Sequence, residues 1–241
     1  MTDLPTPTPT LLFKTKYSCA LLADAAFRAD IPFGAAPQGL TPIDRAMKLS
    51  GPIITIQANN DLPTILAGIH QANAGDVVVI TNTHHSNEAA LIGDLLATEA
   101  SRKGLAGIIV DGLVRDTTEL IEIGVPIFCR GVYPIGPLKL PQELKGIGSI
   151  GLDLTLGNTT VKPGDWAFGD TDGVIFIRDL DLAAVLEWAE TSYQSEEALA
   201  AQIRSGVPLG ELLGIESFLE KRASNPQADF NQHISELGGA I

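Results

Sequence analysis

Arg115 and Asp116 stand side by side at the end of VDGLVRD, Val110 to Asp116. Arginine offers a planar fork of donors suited to a carboxylate or an enolate oxygen, and aspartate is a hard oxygen ligand suited to Mg2+ or Mn2+. Together they can serve one ligand, the arginine gripping an anion while the aspartate holds a cation that bridges to it. The alternative is a surface pair at a helix start, with Asp116 favoured by the helix dipole. A second candidate lies upstream in GDLLATEASRKG, Gly93 to Gly104. Asp94 can cap the helix that begins there, and the N–H groups of Leu95 and Leu96 would then point outward at a small carboxylate. An N-cap with no ligand explains the same residues.

Other polar clusters are weaker. THHSNE, Thr83 to Glu88, sets two histidines together. Neighbouring side chains diverge, and no third ligand follows at helical spacing, so zinc is not expected. VKPGDWAFGDTDGV, Val161 to Val174, lacks the full calcium-loop pattern, and its carboxylates read as turn residues. Glu196 and Glu197 fall in a long helix as a solvated face. No Walker loop, GxSxG elbow, CxxC or dinucleotide fingerprint is present.

The candidates need elements to position them. Apolar periodicity predicts helix over Ser18 to Ala29, strand over Pro52 to Ile56, helix over Leu62 to Ala74 and strand over Asp76 to Thr81. Helix Asp94 to Lys103, strand Gly107 to Val110, helix Asp116 to Ile123 and strand Pro126 to Cys129 follow. This alternation implies an α/β fold with a parallel sheet covered by helices. VDGLVRD then lies at the carboxyl end of a buried strand, where open α/β sheets bind ligands.

Beyond Gly131 the chain becomes β-rich, with turns at LGN, KPGD and DTDG separating short apolar runs that suggest antiparallel hairpins. A long helix from about Leu180 to Arg204 stops at Gly206. The alternating Pro and Thr of Leu4 to Thr10 suggest that residues 1–16 form an extended arm outside the core. Residues 207–241 read as a C-terminal extension with one weak helix and a polar tail.

With 241 residues, 45% of them apolar and 19% charged, the chain is expected to form one domain around a substantial core. A formal net charge of −13 with no basic cluster argues against nucleic acid as a ligand. Cys19 and Cys129 read as buried thiols in a reducing compartment. No basic leader precedes an apolar core at the N-terminus, and no apolar run approaches bilayer length. The expectation is a cytoplasmic protein without a membrane span.

The joined pattern GDLLATEASRKGLAGIIVDGLVRDTTELIEIGVPIFCRG resembles the RraA-like family, which includes the 4-hydroxy-4-methyl-2-oxoglutarate aldolases. SCALLADA, GDVVVI, VKPGDWAFGDTDGVIFI and EEALAAQIRSG extend the resemblance over most of the chain. It implies an α/β/β/α sandwich, assembled as a homotrimer or homohexamer, with an intersubunit site for a 2-oxo acid such as pyruvate and a divalent cation. Arg115 matches the arginine that contacts the pyruvate keto oxygen, and Asp116 matches the metal ligand. Asp94 matches an acid that holds metal-bound water. Gly93 belongs to the same binding motif, and Leu95 and Leu96 match the positions whose amides receive the carboxylate. Glu196 or Glu197 matches a further acid that reaches the metal's water shell from the neighbouring subunit. The implied activity is metal-dependent cleavage of a 4-hydroxy-2-oxo acid to pyruvate, together with oxaloacetate decarboxylation. The rival implication is a non-catalytic regulator that binds a ribonuclease. A methyltransferase role has no support, because no glycine-rich nucleoside loop follows an early strand. THHSN and the N-terminal segment depart from the family pattern and bear on the substrate more than on the chemistry.

Overall fold

The computed structural model describes residues 8–82 and 89–237. Its strands are β1 (Phe33–Ala35), β2 (Thr41–Pro42), β3 (Leu49–Gln57), β4 (Val77–Thr81), β5 (Ala90–Ile92) and β6 (Gly107–Val114). They continue with β7 (Ile127–Val132), β8 (Ser149–Ile150), β9 (Leu154–Leu156), β10 (Thr159–Val161), β11 (Trp166–Asp170) and β12 (Gly173–Ile177). The helices are α1 (Pro9–Thr15), α2 (Cys19–Arg28), α3 (Leu62–Gln71), α4 (Asp94–Lys103), α5 (Thr117–Ile123), α6 (Asp179–Arg204), α7 (Leu209–Leu212), α8 (Ile215–Ser224) and α9 (Phe230–Glu236).

A single hydrogen-bonded path runs β1-β12-β11-β3-β4-β6-β7-β2. Strands β3, β4, β6 and β7 pair in parallel, whereas β1, β12, β11 and β3 pair antiparallel. The two-residue period of each strand divides its side chains between cores. Val78 and Ile80 of β4 join α3, α4 and α5 in one core, while Val77 and Val79 point into a second core with Phe128, Ala167, Val174 and Phe176. Phe168, Ile175 and Ile177, on the other faces of β11 and β12, form a third core with α1, α2 and α6. Helices, parallel strands, antiparallel strands and helices thus stack as the expected α/β/β/α sandwich.

Two expectations are corrected. Residues 9–15 of the presumed extended arm form α1: Pro9 occupies the first turn, where its missing N–H costs nothing, and the Thr8 hydroxyl accepts the Leu11 amide at 3.3 Å. Phe13 is fully buried, with its ring centroid 5.2 Å from that of Phe168. The extension after Gly206 holds three helices rather than one, closed around Phe218, Phe230 and His233. Cys19 and Cys129 are both buried free thiols. Asp170, in the expected turn, accepts the Cys19 and Asp172 amides at 2.8 and 3.0 Å. Among the described residues, no helix is long and apolar enough to cross a membrane.

Candidate active site

Strand β6 outlasts its predicted end at Val110. Its register with β7 shifts between Val110 and Leu113, and β5 pairs in parallel with its last residues. The Arg115 amide donates to Ile92 O at 2.9 Å, so the turn after β6 is tied to the residue before Gly93. Asp116 then adopts φ 60° and ψ 42°, a left-handed conformation that aspartate tolerates better than most side chains. It stands at the N-cap of α5, yet its side chain does not cap that helix. The carboxylate is turned instead to α4, where Oδ2 accepts the Asp94 amide at 3.3 Å and lies 3.4 Å from Arg115 Nε.

Gly93 makes this approach possible. A Cβ at this position would fall 2.5 Å from Asp116 Oδ2 and 3.1 Å from Arg115 Nε. Gly93, not Asp94, is the N-cap of α4, which corrects the capping assignment by one residue. Asp94 lies inside the first turn, and its Oδ1 accepts the Leu95 amide at 2.7 Å. A ligand carboxylate at that amide must therefore displace the Asp94 side chain. Leu96 supplies the next N–H of the first turn, which has no acceptor four residues back within the helix.

Gly93, Asp94, Leu95, Leu96 and Arg115 line a cavity of about 440 Å³. Ala90 and Leu91 of β5 and Leu62 and Leu66 of α3 supply apolar walls. Gly136, Pro137, Leu138, Lys139 and Glu99 also line it, and sequence reasoning singled out none of these. Glu99 is held by Arg102 through two hydrogen bonds of 2.7 Å, which keep its carboxyl below the usual range. Glu196 and Glu197 do not line the cavity. Both are exposed on α6, with Glu197 3.6 Å from Arg204. THHSNE lies outside the described residues.

The donor set can be tested for a hard cation. Among the described residues no three His, Cys, Asp or Glu side chains cluster as a closed metal site. Asp116 and Asp94 nevertheless place two carboxylates at the same turn, each accepting one backbone amide of the α4 start through one of its two oxygens. One or two carboxylates, with water completing the shell, are how Mg2+ is commonly held, so the chemistry of this pair fits such an ion.

The family model for RraA-like proteins, Aldolase/RraA, matches residues 19–176. The chain belongs to the RraA-like family. Every residue lining the cavity falls inside the matched segment, whereas α6 and the C-terminal helices lie beyond it. A Halalkalibacterium halodurans protein, provisionally named 4-hydroxy-4-methyl-2-oxoglutarate aldolase, is 32% identical over 183 residues, or 76% of this chain and 82% of that relative. Streptomyces coelicolor RraAS2, described as an unusual member of the RNase ES inhibitor RraA protein family, is 26% identical with a TM-score of 0.66. The match covers 80% of this chain and 97% of RraAS2. An uncharacterized Pseudomonas syringae protein matches with a TM-score of 0.68 over 83% of this chain and 94% of its own. At 22% identity that likeness speaks for the RraA-like fold alone.

Proposed function

We propose that this RraA-like chain is a divalent-metal-dependent lyase that cleaves a 4-hydroxy-2-oxo acid to pyruvate and also decarboxylates oxaloacetate. The observation that carries the reading is convergence on one cavity of Arg115, Asp94 and the first turn of α4, with the Asp116 carboxylate directly behind them, against the Asp94 amide and Arg115 Nε. The resemblance to the relative from Halalkalibacterium halodurans supports the same class of reaction.

Asp116 would hold Mg2+ or Mn2+, with Asp94 holding water beside it, and the ion when bound supplies Lewis-acid polarisation of the substrate's keto group. The substrate carboxylate would sit at the first turn of α4, where the Leu96 N–H, the Leu95 N–H once Asp94 Oδ1 releases it, and the helix dipole favour an anion. Arg115 would donate to the keto oxygen. As the bond from C3 to C4 breaks, its electron pair moves toward that oxygen, and the guanidinium gains strength against the growing charge. The C4 hydroxyl loses its proton as the new carbonyl forms, and a water held by Asp94 would take it and return a proton to C3. In oxaloacetate the same electron pair is released by loss of carbon dioxide.

The test is pyruvate release from 4-hydroxy-2-oxo acids and from oxaloacetate, with Mg2+ or Mn2+ and with chelator. Metal-dependent release that is lost in Arg115→Ala is expected, and no release from any of these substrates rejects the reading. The likeness to RraAS2 favours one rival, a regulator that binds a ribonuclease without catalysis. Ribonuclease inhibition that persists in Arg115→Ala, with no pyruvate released by the unmodified chain, would select it.

A further inference from the structure

Two glycines border the Arg115 guanidinium. Gly93 borders its Nε end, as described above, and Gly136 borders its Nη1 end. A Cβ on Gly136 would lie 3.1 Å from Nη1, 3.4 Å from Cζ and 3.8 Å from Nε, and these three nearest atoms all belong to Arg115. The backbone of Gly136 does not itself require glycine, because φ −92° and ψ 167° are extended values open to any L residue. Gly136 is nonetheless buried. The Ala90 amide donates to the carbonyl of the preceding Ile135 at 2.8 Å, which ties this turn to β5. Pro137, Leu138 and Lys139 follow directly as cavity wall. The turn cannot retreat from an added methyl group without moving that wall, so it is the Arg115 guanidinium, 43% exposed and lining the cavity, that must give way.

We propose that Gly136 is a positioning residue: its missing side chain lets the Arg115 fork lie against the 135–139 turn in the orientation that faces the cavity. The steric part of this assignment stands on the geometry alone, and its consequence for turnover rests on the lyase reading above. A contact of 3.1 Å is tight enough that the guanidinium must shift by some tenths of an ångström. Catalysis and planar anion recognition depend on alignment of that order.

The test is a double-mutant cycle on the full chain. Gly136→Ala is made alone and with Arg115→Lys, whose shorter side chain has no Nη1 for the methyl group to meet. Oxalate, a planar dianion, is the probe, and its dissociation constant is measured by calorimetry together with each variant's Tm. Alone, Gly136→Ala is expected to weaken oxalate binding about tenfold and to lower kcat more than it raises KM. In the Arg115→Lys background the same change is expected to alter oxalate binding by less than about twofold. Any loss of Tm in the single variant should also be relieved there, which keeps the cycle decisive for a poorly stable variant. Equal penalties in both backgrounds would show an effect of the turn that does not pass through Arg115, and would overturn the proposal. An unchanged oxalate constant in Gly136→Ala would overturn it too. Failure of the unmodified chain to release pyruvate removes the lyase reading alone, because the coupling in binding and in Tm is read without turnover.

Discussion

Arg115 and Asp116 are paired at Nε and Oδ2, 3.4 Å apart, which brings a cationic fork and a carboxylate together without merging their chemistry. Their roles can therefore be separated by substitution. Arg115→Ala is expected to lower kcat by about a hundredfold to a thousandfold, the usual cost of removing one donor to a developing oxyanion. Its Tm should change little, since the side chain is 43% exposed. Near-normal turnover would exclude the arginine from the chemistry. For Asp116 the informative change is to Asn, because Asn tolerates the left-handed backbone that Ala would strain. Asp116→Asn should raise the Mn2+ concentration needed for half-maximal activity by about tenfold or more, judging from the usual sensitivity of metal sites to their ligands. An unchanged manganese titration would dismiss Asp116 as a ligand. At this scale the sequence made Gly93 to Leu96, Arg115 and Asp116 visible, because each belongs to a short motif whose chemistry can be read locally. Gly136 was invisible: its reason for being glycine is a side chain contributed by a different loop.

The bounds of helix α4, Asp94 to Lys103, were legible from its apolar period, although its cap was misplaced by one residue, since Gly93 and not Asp94 holds that position. The extra length of β6 was not, since the ladder with β5 that supports Leu113 and Val114 comes from three residues too few to signal a strand. Helix α1 was misread for a related reason. Alternating Pro and Thr looks extended, but Thr8 and Pro9 are also a cap and a first-turn residue, and burial of Phe13 decides between the two. Phe13→Ala should accordingly cost about 3–5 kcal/mol in urea unfolding, as for other buried aromatic truncations. A loss below about 1 kcal/mol would mean that α1 is an appendage. The same helix is tied to α6 by Lys16, which reaches both Glu190 oxygens at 2.6 and 2.5 Å, and the adjacent Tyr17 hydroxyl donates to Glu190 at 2.7 Å. These bonds lower the Glu190 carboxyl from 4.5 to about 2. A lowered folded value stabilises the native state above the unfolded value, so this contribution should be full above about pH 5 and fade as pH falls toward about 2. The Tm difference between the unmodified chain and Glu190→Gln should shrink over that window, and a difference constant from pH 7 to 3 would contradict the linkage.

The order of layers constrains what one chain can bring to its own site. Helix α4 covers the parallel strands on one side, whereas α6 packs with α1 and α2 on the antiparallel strands, so two β layers separate them. Stacked sheets lie about 10 Å apart, and each further helix layer adds a comparable distance. Glu196 and Glu197, exposed on α6, are thus poorly placed to reach Asp116 of the same chain. The alternating apolar runs and the later hairpins foretold a helix-covered parallel sheet and antiparallel strands, whereas their stacking as α/β/β/α came only with the family resemblance; which layer α6 would cover was not foreseeable, because its periodicity names a buried face without naming its partner. If a glutamate of α6 serves the site, it must come from a second copy, and the cavity is then shared between subunits. A fully active monomer at assay concentration, seen by light scattering, would reject that arrangement. Mixing gives the sharper test. An Arg115→Ala chain and a Glu196→Gln/Glu197→Gln chain should each be nearly inactive alone. In randomly mixed cyclic oligomers at equal amounts, half of the sites draw Arg115 from an intact donor and half of those meet an intact glutamate donor, so about a quarter of wild-type activity should return. Oligomers shown by native mass spectrometry to be mixed, yet still inactive, would place the completing acid elsewhere than on α6.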